Sequence, residues 1–89
     1  MNWIIINNQI NFSVMDINEF LINFAEQFDD TDPSEIKFDT KYHELNEWGS
    51  LVGMSVIAMA KTIYGKTITG AEIRTCETVE DLYNLIVSK

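Results

Sequence analysis

Ser50 is the residue whose type and position best suit covalent chemistry. It follows a long acidic segment and opens the most apolar helix pattern of the chain, over residues 50–64. Backbone N–H groups at the start of a helix are unpaired, and the helix dipole there is positive. A phosphate attached to the Ser50 hydroxyl would therefore be favourably placed.

Gly53 supports a role for Ser50 beyond that of a helix cap. Three other predicted helix or turn starts have Glu three residues after the capping residue, and the fourth has Asp81 there. A carboxylate after Ser50 would repel a phosphate, whereas Gly53 leaves the N–H groups free. A glycine one turn into a helix also suggests close approach by a neighbour. From spacing alone, a plain N-cap role for Ser50 is the alternative.

Capping motifs and apolar spacing predict the helices that position Ser50. The predicted elements are a helix at 16–28 (Asp16 with Glu19), a turn at 32–35 (Asp32, Pro33 and Glu35), a helix at 50–64 ended by Gly65, a short helix after Thr69 (with Glu72) and a last helix after Thr78 (with Asp81). In the 50–64 helix the predicted inward stripe is Val52, Val56, Met59, Ala60 and Ile63. The predicted fold class is all-α, a small up-down bundle of three main helices plus one or two short helices.

Residues 1–15 do not follow the helical pattern. Two apolar runs, at residues 3–6 and 10–12, flank Asn7-Asn8-Gln9. Asparagine tolerates the left-handed turn conformation, so this spacing favours a short β-hairpin. The predicted division is an N-terminal extension at 1–15 and a helical domain at 16–89.

The composition limits the chain to one small domain. Its 89 residues are 46% hydrophobic, and 14 acidic residues against 6 basic ones give a net charge of −8. This balance argues against nucleic acid and anionic membrane surfaces as partners. The single cysteine, Cys76, cannot form an internal disulfide, and no apolar run is long enough for a signal core or a membrane span. We therefore expect a cytoplasmic protein, and a monomer.

Other kinds of site fit the sequence poorly. Asp30-Thr31-Asp32 begins like a calcium loop, but Pro33 follows and no glycine stands at the sixth position, which argues against a calcium-responsive domain. His43 and Cys76 are each alone in type and lack zinc-ligand spacing, so no metal site is predicted. We expect Cys76 to be buried or half-buried. No base stands at recognisable spacing from a nucleophile, so an enzyme is not expected.

Several motifs in order give the chain a family resemblance. Tyr42 and Leu45 precede Gly49-Ser50-Leu51, an apolar helix follows, Tyr64-Gly65 forms a turn, and Thr78-Val79-Glu80-Asp81-Leu82 opens the last helix. Over residues 16–88 this order resembles the acyl carrier protein family. The resemblance implies the bundle of that family, with Ser50 as its motif serine.

The resemblance implies a carrier rather than an enzyme. In that family a dedicated transferase attaches 4′-phosphopantetheine from coenzyme A to the motif serine, here Ser50, as a phosphodiester. The thiol of the arm holds an acyl intermediate as a thioester for partner enzymes. The implied setting is fatty acid, lipid or secondary-metabolite biosynthesis of polyketide or nonribosomal peptide type. The implied partners are the phosphopantetheinyl transferase and acyl-loading and acyl-processing enzymes.

Two departures from the family pattern shape the expected docking surface. Gly49 replaces the Asp that usually precedes the serine, and neutral or basic residues stand where the second helix usually carries acids, at Val52, Ser55, Lys61 and Thr62. We therefore expect slow loading or a dedicated transferase, and specialised partners that dock by apolar contact. The predicted docking residues are Trp48, Gly49, Leu51, Val52 and Met54, with Trp48 also a candidate gate at the exit of the arm. The alternative is a carrier-fold interaction module whose serine is never modified.

Overall fold

The computed structural model describes residues 16–89, and the hairpin predicted within residues 1–15 lies outside the described residues. The described chain contains four α-helices and two short 3-10 helices: α1 is Ile17–Ala25, α2 is Ser50–Tyr64, α3 is Gly70–Thr75, α4 is Val79–Val87, and the 3-10 helices are Pro33–Glu35 and Tyr42–Glu44. Residues 16–89 contain no strand, only an isolated antiparallel bridge between Lys41 and Thr78. The prediction of a small all-α bundle is confirmed.

α1 is shorter than the helix predicted over residues 16–28. Its start is capped as expected by Asp16, whose carboxylate accepts from the Asn18 amide at 3.0 Å. After Ala25 the hydrogen bonds tighten to a spacing of three residues, as in the bond from the Phe28 amide to the Ala25 carbonyl at 3.1 Å. The helix therefore ends early, and Phe28 follows it as a buried core residue.

Aromatic rings join α1 to both ends of α2. The ring of Phe20 in α1 lies 5.8 Å from that of Tyr64 at the end of α2. The ring of Phe28, just after α1, lies 6.3 Å from that of Trp48, just before α2. The two helices therefore run in opposite directions. The buried core contains Phe20, Phe24, Ala25, Phe28, Ile36, Tyr42, Val52, Val56, Met59, Ala60, Ile68, Ile73, Val79, Leu82 and Ile86.

Tyr42 ties the segment before α2 to α3. Its side chain is fully buried, and its hydroxyl donates to the backbone carbonyl of Ile73 at 2.5 Å. Burial disfavours the charged phenolate, so the pKa of Tyr42 lies well above the usual value for a tyrosine. The hydroxyl therefore stays protonated and keeps donating to α3.

α2 follows its predicted course from Ser50 to Tyr64. It ends at Gly65, whose φ of 68° lies in the left-handed region, and the next amide, of Lys66, donates to the Ala60 carbonyl at 3.1 Å. The predicted inward stripe is wrong at Ile63, which is 43% exposed in the last turn. No helix within residues 16–89 combines the length and apolar composition needed to cross a membrane.

Reciprocal capping boxes start both of the later helices, as predicted. At α3 the Thr69 hydroxyl accepts from the Glu72 amide at 3.1 Å, and the Glu72 carboxylate accepts from the Thr69 amide at 3.0 Å. At α4 the same two bonds join Thr78 and Asp81, each at 3.1 Å. These boxes satisfy backbone donors that would otherwise lack acceptors at the helix starts.

Candidate functional site

Ser50 is the first residue of α2, so the capping position of this helix belongs to Gly49. The alternative of a plain N-cap role for Ser50 is therefore wrong. Gly49 has no side chain that could accept a hydrogen bond, no other side chain within residues 16–89 caps α2, and the first turn of α2 carries no acid. Ser50 is exposed, and its hydroxyl bonds no other described residue. The hydroxyl is thus available for chemistry.

The first turn of α2 leaves backbone donors without acceptors. Among the described residues, no acceptor meets the amides of Ser50, Leu51 and Val52. The first amide of the helix with a partner is that of Gly53, which donates to the Gly49 carbonyl at 2.9 Å. The helix dipole adds a partial positive charge at the same end. A negative group attached to Ser50 would be stabilised here.

A pocket of about 450 Å³ opens beside Ser50, between the N-terminal half of α2 and α3. Most of its wall is formed by apolar residues or glycine, including Trp48, Gly53, Met54, Ile57 and Ile73. A second cavity of about 490 Å³ shares Met54 and Ile57 with the first and continues along α2 to Ala58 and Lys61. The two cavities together line one side of α2 with an apolar groove that begins at Ser50.

Trp48 forms part of the pocket wall and is held by neighbouring rings. Its ring lies 4.7 Å from that of Tyr42 and 5.4 Å from that of His43. A Cβ atom at Gly53 would lie 3.6 Å from the indole, so Trp48 packs directly against α2 at this point. The close approach predicted at Gly53 is confirmed, with Trp48 as the neighbour. A role for Trp48 as a gate stays a prediction.

Glu47 fastens the segment that leads to Ser50. Its carboxylate accepts from the amides of Asp29, Asp30 and Thr31 at 2.6, 3.0 and 3.0 Å, and from the Thr31 hydroxyl at 2.7 Å. These bonds, that of the Thr31 hydroxyl first, lower the pKa of Glu47 below its usual range. Sequence reasoning missed this cluster because its members are 16 to 18 residues apart and no local motif marks the contact.

The predicted docking residues divide into exposed and buried ones. Leu51 and Met54 are 77% and 66% exposed, so both can meet a partner. The side chain of Val52 is only 7% exposed and packs in the core, so it offers a partner almost no surface, and its docking role stays a prediction. Gly49 is exposed, and Trp48 is half-buried.

His43 lines the pocket and contacts the backbone of Cys76. The Nε2 atom of His43 is 3.1 Å from the carbonyl oxygen of Cys76. Cys76 is half-buried as predicted, and burial raises the pKa of its thiol, which keeps the thiol protonated at neutral pH. Within residues 16–89 no three His, Cys, Asp or Glu side chains are grouped so that they could hold a metal ion.

The exposed Ser50 hydroxyl, the open first turn of α2 and the adjoining groove are the features from which a function can be argued. Each of them follows from residues of this chain alone. Comparisons with models of protein families, with curated proteins and with solved structures find no match.

Proposed function

We propose that this chain is a carrier of the acyl carrier protein type, in which Ser50 receives 4′-phosphopantetheine from coenzyme A. The observation that carries the proposal is the free, exposed hydroxyl of Ser50 at the uncapped start of α2, beside an apolar groove. The ordered motifs at residues 42–51, 64–65 and 78–82 support it, because they resemble those of the family. A cytoplasmic location and a monomeric state belong to the same proposal.

The role of Ser50 is that of a nucleophile in the loading reaction. Its Oγ forms a bond to the pantetheine-bearing phosphorus of coenzyme A, while the pyrophosphate bond breaks and adenosine 3′,5′-bisphosphate leaves. The hydroxyl proton passes to a base of the transferase, since no described side chain of this chain accepts a hydrogen bond from Ser50. The start of α2 then faces the phosphodiester with unpaired N–H groups.

When bound, the arm supplies a thiol that holds an acyl group as a thioester. The contribution of the chain is to present that group and to dock on partner enzymes. Leu51 and Met54, both exposed beside Ser50, supply apolar contact area for a partner. Met54 also lines the groove, so the docking surface and the groove adjoin along α2.

The second candidate is an interaction module that keeps this fold and is never loaded. Gly49 favours it, because the resemblance implies an acid at that position for recognition by the transferase. The exposed side chains of Leu51 and Met54 would serve such a module equally well. The two candidates therefore differ in whether Ser50 is modified.

The intact mass of the protein separates the two candidates. Wild type, Ser50→Ala and Ser55→Ala are each incubated with coenzyme A, magnesium and a broad-specificity phosphopantetheinyl transferase. We expect one phosphopantetheine on the wild type and on Ser55→Ala, and none on Ser50→Ala. Ser55 lies in the same helix and is the matched control for loss of a serine hydroxyl.

The rate of loading tests the role of Gly49. Gly49→Asp should load faster than the wild type, because it restores the acid that the resemblance implies for the transferase. A Cβ atom at Gly49 would meet nothing within 4 Å, so the substitution fits the fold. If neither protein gains mass with this transferase or with those of the source organism, the carrier proposal fails and the unloaded module takes its place.

A further inference from the structure

We propose that the pocket beside Ser50 binds an anionic group through Arg74 and His43. The inference rests on the proposed function, because the anion is delivered by what Ser50 carries. Two sources share the required chemistry, namely the phosphodiester of the arm and a carboxylate on the cargo. The pocket would thus hold the arm, or select an acidic cargo, beside the attachment point.

The lining of the pocket departs from the charge of the chain as a whole. The chain has 14 acidic and 6 basic residues, with Arg74 its one arginine and His43 its one histidine. Both of these residues line the pocket that Ser50 lines, and none of the lining residues within 16–89 is acidic. A strongly negative protein therefore presents positive or protonatable groups at the one place where the proposed modification would add negative charge.

The guanidinium of Arg74 is available to a ligand. Arg74 is an exposed residue in the last turn of α3, and a Cβ atom at Gly70 would lie 3.3 Å from its Nη1 atom. The guanidinium is thus folded back along α3 over Gly70, which itself lines the pocket. Within residues 16–89 the one salt bridge joins Lys89 to Glu72, so Arg74 is engaged in none.

Two acids share another cavity with Arg74. Glu44 and Glu77 line an adjoining cavity of about 310 Å³ together with Arg74 and His43. Neither acid comes within salt-bridge distance of Arg74 in the described chain. Arg74 lines both cavities, so its planar guanidinium can turn towards an anion in the pocket beside Ser50.

The ring of His43 is held in place at the same pocket. It lies 4.5 Å from the ring of Tyr42 and 5.4 Å from that of Trp48. Its Nε2 atom meets the Cys76 carbonyl at 3.1 Å, so Nδ1 is the ring nitrogen left for a ligand. Because Nε2–H donates to that carbonyl, Nδ1 donates to an anion in the protonated form of the ring, and the fixed ring does so without first losing rotational freedom.

Phosphate and carboxylate are the anions that best fit these donors. A guanidinium presents a planar fork that binds two oxygens of either group at once. The apolar walls of the pocket, among them Ile57 and Ile73, lower the local dielectric and strengthen such a contact. A neutral acyl group has no negative charge and so cannot form the charge-assisted hydrogen bonds that these anions form.

Side-chain NMR tests the inference with little ambiguity, because one arginine and one histidine each give one set of signals. The protein is loaded from coenzyme A, from butyryl-coenzyme A and from succinyl-coenzyme A, and intact mass verifies each product. If the phosphodiester is the anion, the Arg74 Nε–H signal moves in all three forms relative to the unloaded protein. If the anion is a cargo carboxylate, the signal moves only in the succinyl form.

Charge variants separate direct contact from the general field of the protein. If the phosphodiester is the anion, Arg74→Gln should shift the ³¹P resonance of the loaded arm. If the cargo carboxylate is the anion, Arg74→Gln should abolish the difference in the His43 signal between the succinyl and butyryl forms. Lys61→Gln is the matched control, since Lys61 carries the same charge on α2 but lines only the second cavity. Arg74→Lys keeps the charge without the fork and should give an intermediate effect.

The outcomes distinguish this inference from the proposed function. Absence of any mass addition at Ser50 sinks both. Successful loading with an unmoved Arg74 signal in every form overturns the inference alone. An equal ³¹P shift in Lys61→Gln and Arg74→Gln also overturns it, because only the net charge would then matter.

Discussion

The starts of α2 and α4 are built in opposite ways. At α4 the first four amides all find acceptors: Val79 donates to the Thr40 carbonyl at 3.1 Å, Glu80 to the Phe38 carbonyl at 2.9 Å, Asp81 to the Thr78 hydroxyl at 3.1 Å and Leu82 to the Thr78 carbonyl at 3.1 Å. At α2 only the fourth, that of Gly53, has an acceptor among the described residues. The start of α4 therefore stabilises the fold through its own backbone donors, whereas the start of α2 leaves its first three donors without acceptors among the described residues.

The cause of this difference lies in two positions of each helix. α4 has Thr78 at its cap and Asp81 at its third residue, and the backbone bond from Thr78 lowers the pKa of Asp81 below its usual range. α2 has Gly49 at its cap, and its third residue, Val52, is committed to the core. A capping box cannot form there. We expect substitutions at the start of α4 to change the stability of the protein, and substitution of Ser50 at the start of α2 to change loading.

The largest effect on stability should come from substitution of Tyr42, whose side chain is fully buried. Tyr42→Phe leaves the buried Ile73 carbonyl without its donor, which should cost about 1–3 kcal/mol of unfolding free energy. Urea denaturation measures this cost, with loading of Ser50 followed by mass in parallel. Tyr64→Phe is the control: the Tyr64 hydroxyl accepts from the side-chain amide of Asn23 at 3.0 Å in a less buried place, so a smaller loss is expected. An equal loss in both variants would contradict this account.

Removal of the α4 cap should have the next largest effect. Thr78→Ala loses the hydroxyl that accepts the Asp81 amide and should lower stability by about 1 kcal/mol without slowing the loading of Ser50. Ser50→Ala should leave stability unchanged, because the Ser50 hydroxyl caps nothing. Thermal unfolding of the two variants makes the comparison directly. A Ser50→Ala protein as unstable as Thr78→Ala would show that the start of α2 is capped after all.

A gain of stability is expected at Gly53. Gly53→Ala adds helix propensity and should stabilise the protein by up to about 1 kcal/mol, since the new Cβ would meet Trp48 at an ordinary contact distance of 3.6 Å. The added methyl also narrows the pocket, so the Arg74 response to loading should weaken. Gly65→Ala should instead destabilise, because its φ of 68° disfavours a side chain. Loss of stability in Gly53→Ala would contradict this account, because at 3.6 Å the indole has no need to move.

The smallest effect should be local to Glu47. Its pKa is lowered below 4.5 in the folded protein, so its stabilising bonds are complete above pH 4.5 and are lost as the pH falls through the folded value. Amide exchange at residues 29–31 should therefore speed up on acidification before the helices unfold. Glu47→Gln should show the faster exchange already at pH 7. Unchanged amide exchange at residues 29–31 in Glu47→Gln would show that the Glu47 carboxylate does not hold that segment.

Local signals made much of the fold predictable from sequence. The bounds of α2, the left-handed Gly65 and the boxes at Thr69 and Thr78 each depend on residues within four positions of one another, and all are confirmed. The box predicted between Asp16 and Glu19 is not formed in the described chain, because the Asp16 carboxylate accepts from Asn18 instead.

The candidate site was less predictable, because its geometry depends on contacts between distant residues. Spacing placed Ser50 correctly at the start of α2 but made it the cap, and only the backbone shows that Gly49 holds that position. Helix periodicity put Val52 on the same face as Val56, so its burial was foreseeable, yet proximity to the serine favoured a docking role. Nothing in the sequence brings Arg74 to Ser50, since α3 meets α2 only through tertiary packing.

The bonds at Glu47 have a consequence for how the chain closes on itself. They hold residues 29–31 against Glu47, close to the start of α2. Residues 32–46 therefore form a loop whose two ends are fixed to each other. Because the entropic cost of closing such a loop rises only slowly with its length, residues inserted in it would lower the stability of the protein only slightly. The position of Ser50 should therefore depend little on the length of this loop, as long as its buried residues Ile36 and Tyr42 keep their places in the core.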